Sequence, residues 1–280
     1  GRRGHRNLPD TLSRGRPPPK NIATTNPYYP MKTFVINLPH ATARRERVRT
    51  ILAEHPSLDV EFIEAVDGRK LSAEEIERRF DLRKGNFRAM CRMLPEEIGC
   101  TLSHQTCYRR MVAEGIPYAL ILEDDLTMPR TEGGGLSDAI ELLKPHLDTD
   151  EPRAILLSNC NWWISARPLD EKRRLARVFD AWMTHAYLLN LAGARLLAEE
   201  RPGYTADNWR LMIRRGLHLY SLLPHIFGQD RAVFGTFQIE KRDRRFGPLW
   251  ERIWCRIRRE PFKRLRKQLH GLRLLLIRGL

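Results

Sequence analysis

The chain has 280 residues, of which 42% are hydrophobic and 8% aromatic, and its formal net charge is +15. These apolar residues suffice for a buried core, so the composition favours a globular protein with one large domain or one domain with appendages. The five cysteines are odd in number and include no Cys-x-x-Cys pair, so neither a disulfide framework nor a zinc site is indicated, and they suit a reducing cytoplasm.

The positive charge is concentrated at the two ends of the chain. Residues 1–30 carry six basic side chains and one acidic one, and residues 241–280 carry fourteen and three. Residues 31–240 are almost neutral, which weakens the alternative of a nucleic-acid-binding protein, so we expect no nucleic-acid partner. Residues 1–30 also lack apolar periodicity and are rich in Pro, Gly and Arg, which predicts a disordered basic leader before a natural start at Met31.

The body, residues 31–240, alternates strand and helix patterns. Apolar, β-tolerant runs predict strands at residues 34–38, 60–66, 118–122, 154–158, 186–190 and 217–223. Periodicity and capping residues predict helices at residues 42–53, after Ser72, and at 95–114, 191–200 and 208–215. This alternation predicts an α/β fold with a mainly parallel sheet flanked by helices. Because no stretch reaches the roughly 20 apolar residues of a spanning helix, we expect a soluble body.

The segment ALILEDDL, residues 119–126, places three carboxylates directly after an apolar run that predicts a buried strand. Adjacent acids repel one another, so Glu123, Asp124 and Asp125 require a positive partner, for which a divalent metal ion is the obvious candidate. In an extended chain, Glu123 and Asp125 share one side and Asp124 takes the other. The carboxyl end of a parallel strand is a ligand-binding position in α/β sheets, whereas a solvated acidic turn is the alternative.

Four segments in this order resemble glycosyltransferase family 25, which includes bacterial lipooligosaccharide galactosyltransferases and collagen galactosyltransferases. They are FVINLPHATARRERV, FIEAVDGRKL, LPEEIGCTLSHQTCYRRMV and YALILEDDL, and they span about residues 33–128. A weaker similarity reaches about Asp230, but residues 128–180 contain no clear family segment. The resemblance implies a GT-A-like, Rossmann-like fold and an inverting sugar transferase.

The resemblance also implies a nucleotide-sugar donor, which we expect to be a UDP-sugar, held through a divalent metal, which we expect to be Mn²⁺. It makes Asp125 the first choice for the metal ligand, with Glu123 beside it or on the ribose, and Asp124 as a ribose or structural partner. A hard cation on oxygen ligands would stabilise the charge that a leaving nucleoside diphosphate develops. The expected reaction is galactose transfer in lipopolysaccharide or lipooligosaccharide biosynthesis, although these residues do not distinguish galactose from glucose.

Further donor-site residues follow from the same resemblance. Arg44 and Arg45 match the paired arginines after the first strand and suit diphosphate oxygens, although a solvated basic helix face is an equal alternative. Asp67 either closes a loop on the nucleotide base or belongs to an ordinary turn. His104 is either a donor-site hydrogen-bonding group or a buried core histidine. Helical spacing places it on one face with three neighbours: Cys100, Ser103 and Cys107.

The acceptor side requires a base for the attacking hydroxyl and a surface for a glycan or glycolipid. Asp207, in the segment TADNW, is the candidate catalytic carboxylate, with Trp209 beside it to cover the apolar face of a sugar. An N-cap is the alternative role for Asp207. Trp162 and Trp163 follow a predicted strand and form either an acceptor platform or part of the core.

Residues 241–280 combine apolar positions at helical spacing with intervening arginines and lysines. This pattern predicts a basic amphipathic helix on an anionic membrane surface, which would make the protein cytoplasmic and peripheral at the inner membrane. A final helix packed on the body is the alternative. A metal-dependent phosphodiesterase is another possible function, but the sequence shows no additional cluster of carboxylates and histidines for it. A non-catalytic relative is a further alternative, and the presence of Glu123, Asp124 and Asp125 argues against it.

Overall fold

The computed structural model describes residues 30–89, 91–128 and 135–229. The predicted basic leader, apart from Pro30, and the predicted amphipathic helix of residues 241–280 lie outside the described residues, as does the end of the predicted 31–240 domain. Among the helices in the described ranges, none combines the length and the apolar composition that are needed to cross a membrane.

An eight-stranded sheet forms the middle of an α/β fold. Its strands are β1 (Met31–Asn37), β2 (Leu58–Glu64), β3 (Tyr118–Glu123), β5 (Arg153–Leu156), β6 (Asn161–Pro168), β7 (Arg174–Ala181), β8 (Ala186–Asn190) and β9 (His218–Leu223). A separate antiparallel pair consists of β4 (Leu126–Thr127) and β10 (Gly228–Gln229). The order in the large sheet is β2-β1-β3-β8-β5-β9-β7-β6, and only β7 and β8 run against the other six strands. The α/β class is confirmed, but the sheet is mixed: the pairings β1-β2, β1-β3 and β5-β9 are parallel, whereas β3-β8, β5-β8, β7-β9 and β6-β7 are antiparallel. The predicted parallel arrangement therefore holds for β2-β1-β3 and for β5-β9, and not for the sheet as a whole.

Helices cover both faces of this sheet. They are α1 (Thr42–Ala53), α2 (Ala73–Arg79), α3 (Leu82–Ala89), α4 (Pro95–Glu114), α5 (Leu136–Leu147), α6 (Leu191–Leu197) and α7 (Trp209–Arg214), and a 3₁₀ turn spans Gly68–Lys70. Strand β3 shows why two layers form: Ala119 and Ile121 pack with α4, α6 and α7, whereas Leu120 and Leu122 pack with α1 and α5. Each leucine that is fully buried in this way contributes about 1.5–3 kcal/mol.

Several elements have the bounds that the sequence predicts. Helices α1 and α4 and strand β8 coincide with the predicted residues 42–53, 95–114 and 186–190. The capping box before α2 is present, because the Ser72 hydroxyl accepts from the Glu75 amide and the Glu75 carboxylate accepts from the Ser72 amide.

Helices α3 and α5 and the hairpin of β6 and β7 are absent from the predictions. The hairpin lies at the sheet edge, and its pairing shifts register twice between Trp162 and Ser165. Such irregular pairing breaks the period-two pattern by which a strand is recognised in a sequence.

Candidate active site

A cavity of about 420 Å³ lies beyond the carboxyl ends of β1, β2 and β3. The chain passes from β1 to β2 on one side of β1 and later returns to β3 on the other side. This reversal is the topological switch point at which open α/β sheets bind ligands. The antiparallel strand β8 brings the residues that precede it, Met183, Thr184 and His185, to the same edge.

Glu123 closes β3 on the α4 side of the cavity. Its Oε1 lies 3.2 Å from Nε2 of His104 and also accepts a hydrogen bond from the hydroxyl of Thr184. Burial raises the pKa of this carboxyl, but the hydrogen bonds from His104 and Thr184 outweigh it and hold the pKa below the ordinary value. Glu123 is therefore an anion with fixed partners.

Asp124 faces the first strand and helix. Its Oδ2 accepts a hydrogen bond of 2.7 Å from the amide of Asn37 at the end of β1, and its Oδ1 lies 3.3 Å from Nη1 of Arg44 in α1. Burial raises the pKa of Asp124 despite these two partners. The carboxylate thus fixes Arg44 against the cavity, which both residues line.

Asp125 has the least complete set of partners of the three acids. Its Oδ2 accepts a hydrogen bond from the amide of Gln229 in β10, while its Oδ1 is buried and has no hydrogen-bond partner among the described residues. Burial, together with the charges of Glu123 and Asp124, raises the pKa of Asp125 to about 6.

The three acids all line the cavity, although the side-to-side alternation predicted for them ends at Glu123, because the next two residues form a turn. Anionic oxygens and an unpaired buried carboxylate oxygen make a site that suits a hard divalent cation. Asp125 and Glu123 are the residues in this group that would ligate it.

The side chains of Arg44 and Arg45, both predicted as donor-site residues, point in different directions. Arg44 points into the cavity, whereas the guanidinium of Arg45 lies 4.6 Å from the ring centroid of Phe62 on β2. Successive residues of a helix point in directions about 100° apart, so one of the pair faces the cavity and the other the helix flank. The structure therefore does not bring Arg45 to the site for which it was predicted.

Asp67 lines the cavity from the loop after β2 and also organises that loop. Its carboxylate caps the 3₁₀ turn and pairs with Arg69, with distances of 3.2 Å to the Arg69 amide and 3.0 Å to Nε. The hydrogen bond from Arg69 lowers the pKa of Asp67. The position is thus both a turn residue and a cavity residue, so both of the predicted roles remain open.

Two glycines set the distance between this loop and α4. A Cβ on Gly68 would lie 1.7 Å from the carbonyl oxygen of Pro95, and one on Gly99 would lie 2.4 Å from that of Val66. Both contacts involve backbone atoms, which cannot rotate away. The packing also positions Ser103, whose hydroxyl accepts from the amide of Val66. Only glycine allows the loop after β2 to approach α4 this closely.

His104 is buried, with 1% of its surface exposed, and it also lines the cavity. Its Nδ1 lies 2.8 Å from the hydroxyl of Tyr187, and its Nε2 faces Glu123. The residues predicted to share one face of α4 have different surroundings. Cys100 lines the cavity, whereas Cys107 lies in the core.

Asp207 also lines the cavity, from the turn before α7. The N-cap of α7 is Asn208, whose side chain accepts from the Leu211 amide, so capping is not the role of the Asp207 side chain. Trp209 is fully buried, packs edge-to-face on Tyr187 at 5.1 Å and donates to the carbonyl of Met183. The prediction that Trp209 covers a sugar is therefore wrong, because the first turn of α7 faces the core.

The tryptophans of β6 occupy two environments. Trp163 belongs to the core, with 7% exposure, whereas Trp162 is half-buried and meets the edge of Trp182 at a centroid distance of 4.4 Å. Trp182 is 37% exposed and directly precedes the cavity residue Met183. The aromatic pair nearest in the chain to a cavity residue thus consists of Trp182 and Trp162 rather than Trp162 and Trp163, and of this pair Trp182 is the exposed member.

Sequence reasoning did not identify three polar residues that hold the acids: Asn37, Thr184 and Gln229. Asn37 ends an apolar strand, which is the same signal that identified Glu123, and it could have been found in that way. Thr184 and Gln229 reach the site through long-range strand pairing, for which the local sequence has no signal.

Comparison with known proteins identifies one family. The sequence profile of the family described as "Glycosyltransferase family 25 (LPS biosynthesis protein)" matches residues 31–202. The probable inactive glycosyltransferase 25 family member 3 of Bos taurus is 29% identical over 201 residues, which cover 71% of this chain and 32% of that protein. Procollagen galactosyltransferase 2 of Homo sapiens is 31% identical over 121 residues, covering 40% of this chain and 19% of that protein.

A glycosyltransferase 25 family member of Aedes aegypti is 30% identical over 176 residues, covering 60% of this chain and 28% of that protein. The chain thus spans about a third or less of the length of these relatives.

Proposed function

The chain belongs to glycosyltransferase family 25, and we propose that residues 31–240 transfer galactose from UDP-galactose, with inversion, to a hydroxyl of a glycan or glycolipid in lipopolysaccharide or lipooligosaccharide assembly. The observation that carries the proposal is the cluster of Glu123, Asp124 and Asp125 at the switch point of the sheet, with Arg44 beside it and Asp207 on the same cavity. The order β2-β1-β3 around that point also supports the GT-A-like form of the fold.

The donor side consists of residues that hold negative charge in place. Asp125 and Glu123 would ligate Mn²⁺, and the raised pKa and unpaired oxygen of Asp125 fit that role. The ion, when bound, neutralises charge that develops on the leaving nucleoside diphosphate. Arg44, fixed by Asp124, offers its guanidinium to diphosphate oxygens, and Asp67 borders the place of the nucleoside.

The acceptor side needs one carboxylate for an inverting displacement. Asp207 accepts the proton of the acceptor hydroxyl as that oxygen bonds to the anomeric carbon and the bond from the sugar to the diphosphate breaks. Trp182, which contacts Trp162 and directly precedes the cavity residue Met183, would pack its exposed ring against the apolar face of an acceptor sugar.

The place of action is a further part of the proposal. Residues 241–280, with fourteen basic and three acidic side chains, would hold the enzyme on the cytoplasmic face of the inner membrane, where a glycolipid acceptor is accessible.

A non-catalytic relative is the second candidate, because the names of two similar proteins, from Bos taurus and Homo sapiens, describe them as inactive. Such a protein would keep the fold and could bind a nucleotide sugar without releasing nucleoside diphosphate. The presence of both the acidic cluster and Asp207 favours the enzyme.

The test measures release of nucleoside diphosphate from a panel of UDP-sugars, with and without Mn²⁺. We expect release that requires the metal and is fastest with UDP-galactose. Asp125→Asn should lower the rate about 10³-fold, because an amide cannot supply the anionic ligand and the metal contributes several kcal/mol. Asp150→Asn, which changes an exposed carboxylate outside the cavity, is the matched control and should retain the rate. Donor binding without release would establish the non-catalytic alternative, and full activity in Asp125→Asn would contradict the metal role.

A further inference from the structure

A second set of metal-ligating atoms lies on the α4 side of the cavity. The sulfur of Cys100, a ring nitrogen of His104 and a carboxylate oxygen of Glu123 all lie within 4.8 Å of one another. Sulfur, nitrogen and oxygen donors together are the set that Zn²⁺ prefers, whereas the neighbouring acids offer only oxygen. We infer that Cys100, His104 and Glu123 form a site for a zinc-type divalent cation, which shares Glu123 with the donor side of the cavity.

The geometry of the three residues is close to that of a ligated set. Cys100 and His104 are four residues apart on α4, so they meet on one helix face, and Glu123 reaches them from the end of β3. Tetrahedral zinc with bonds of about 2.0–2.3 Å separates its ligand atoms by about 3.3–3.8 Å. The separation of 3.2 Å between Nε2 of His104 and Oε1 of Glu123 nearly meets this requirement. Side-chain movements of about 1 Å complete the set, given this ligand spacing.

The surrounding contacts orient the ligands as a metal site requires. Nδ1 of His104 lies 2.8 Å from the hydroxyl of Tyr187, which in turn lies 2.9 Å from that of Tyr108. In the metal-free protein Nε2 donates to Glu123; when a cation binds, the ring would take the other neutral tautomer, with its Nδ1 proton donated to Tyr187 and the lone pair of Nε2 directed at the cation. The hydroxyl of Thr184 donates to Glu123. Hydrogen bonds of this kind fix the ring and the carboxylate in metalloproteins.

The local field also favours a cation at this place. The carboxylates of Glu123, Asp207 and Asp125 line the same cavity as the Cys100 thiol and create a negative field there. The same negative field attracts a cation, and coordination to a divalent cation releases the thiol proton to solvent. Because the three residues line the cavity, a fourth position stays open to water or a ligand.

Occupation of this site has a consequence that rests on the proposed function. A zinc ion held by Glu123 withdraws that carboxylate from the donor metal, so zinc should inhibit sugar transfer at constant Mn²⁺. The spacing of the cysteines, which includes no Cys-x-x-Cys pair, predicts no zinc site. The set was missed because its third member comes from another element, 19 residues away from His104 along the chain.

Cobalt(II) is a spectroscopic substitute for zinc and tests the site without any assay of transfer. We expect Co²⁺ added to the metal-free full chain to give a sulfur-to-cobalt charge-transfer band and tetrahedral visible absorption, both displaced by Zn²⁺. Cys100→Ser should abolish the charge-transfer band and weaken Co²⁺ binding about 100-fold, since it removes one of three protein ligands. Cys160→Ser is the control, because Cys160 is a partly exposed thiol outside the cavity.

Absence of the band in the wild-type chain, or its survival in Cys100→Ser, would overturn the site. If Cys100→Ser fails to fold, as judged by circular dichroism, Cys100→Ala carries the same test. In the wild-type chain, Zn²⁺ should also protect Cys100 but not Cys160 from alkylation, as measured by peptide mapping, and equal labelling of Cys100 with and without zinc would reject the site. If the cobalt band appears but no UDP is released, the proposed function is refuted and this site is not. If metal-dependent UDP release occurs without the cobalt band, this site is refuted and the proposed function is not.

Discussion

The two ends of the central sheet present different surfaces, and the cavity lies at the end that contains β2, β1 and β3. At one end, β2, β1 and β3 run parallel, and buried hydrogen bonds from Asn37 and His104 fix the acids that follow β3. At the other end, the antiparallel hairpin of β6 and β7 exposes Ile164 and Trp182, at 44% and 37%. The first arrangement suits a donor with an invariant diphosphate, and the second suits acceptors that differ from one enzyme to another.

Among the changes that test this comparison of the two ends of the sheet, the largest effect is expected on the transfer rate when the proposed catalytic base, Asp207, is replaced. Asp207→Asn should lower the transfer rate about 10²- to 10⁴-fold, because the amide cannot accept the proton of the acceptor hydroxyl. Binding of UDP and metal, measured by calorimetry, should remain, since Glu123 and Asp125 are unchanged. The adjacent variant Asn208→Ala is the matched control: it removes the cap of α7 and should lower stability by about 1 kcal/mol while activity remains. Loss of UDP binding in Asp207→Asn would instead assign this residue to the donor side.

The difference between the two ends of the sheet also explains which features could be predicted from the sequence. The donor side depends on local patterns: an apolar run of strand length, the acids that end it, and a helix that begins at Pro95. Such signals survive in a single sequence, because buried parallel strands are continuously apolar and helix ends have distinct capping residues. They predict that Glu123, Asp124 and Asp125 lie at a ligand-binding edge of the sheet, and in the structure all three line the cavity.

The acceptor side depends on contacts that no local pattern records. Trp182 joins Trp162 only because β6 and β7 pair, and that pairing contains register shifts. The burial of Trp209 likewise depends on the packing of α7 against Tyr187 rather than on its neighbour Asp207. Tertiary packing, which overrides local preference, therefore determines which of these aromatic side chains is exposed and which is buried.

A smaller effect tests whether the aromatic pair binds the acceptor. Trp182→Ala should raise the KM for the acceptor about 3- to 10-fold, since an aromatic contact contributes about 0.5–1.5 kcal/mol, and should leave the KM for the donor unchanged. Phe87→Ala is the control, because Phe87 is an exposed aromatic on α3, outside the cavity. Steady-state kinetics with each substrate varied separately would decide the matter. An unchanged acceptor KM, or a raised donor KM, would contradict an acceptor role for this end of the sheet.

The smallest expected effect is on thermal stability. It concerns Asp125, at the end of the sheet where the donor is proposed to bind. The pKa of Asp125 is about 6 in the folded chain and 3.8 as its ordinary value, so the folded state binds the proton more tightly than the unfolded state does. This group therefore lowers the stability of the metal-free protein as the pH rises from about 4 to 6, and the loss persists above pH 6. Partial exposure and solvent screening reduce the cost to about 1 kcal/mol. Asp125→Asn removes the charge while its side-chain oxygen can still accept from Gln229, so it should raise the Tm of the metal-free protein by about 2–4 °C at pH 7.5.

The gain in Tm should shrink as the pH falls from 6 towards 4, because the wild-type carboxyl is then protonated as well. Mn²⁺ should reverse the order at pH 7.5, since only the wild-type chain gains stability from binding the metal. Asp150→Asn, at an exposed position, should show neither behaviour in the same calorimetric scans. Equal Tm values for the wild type and Asp125→Asn at pH 7.5 without metal would mean that the acids at the end of β3 do not repel one another. A cation would then not be needed to hold them together, and the donor end would lose the electrostatic property that distinguishes it from the hairpin end.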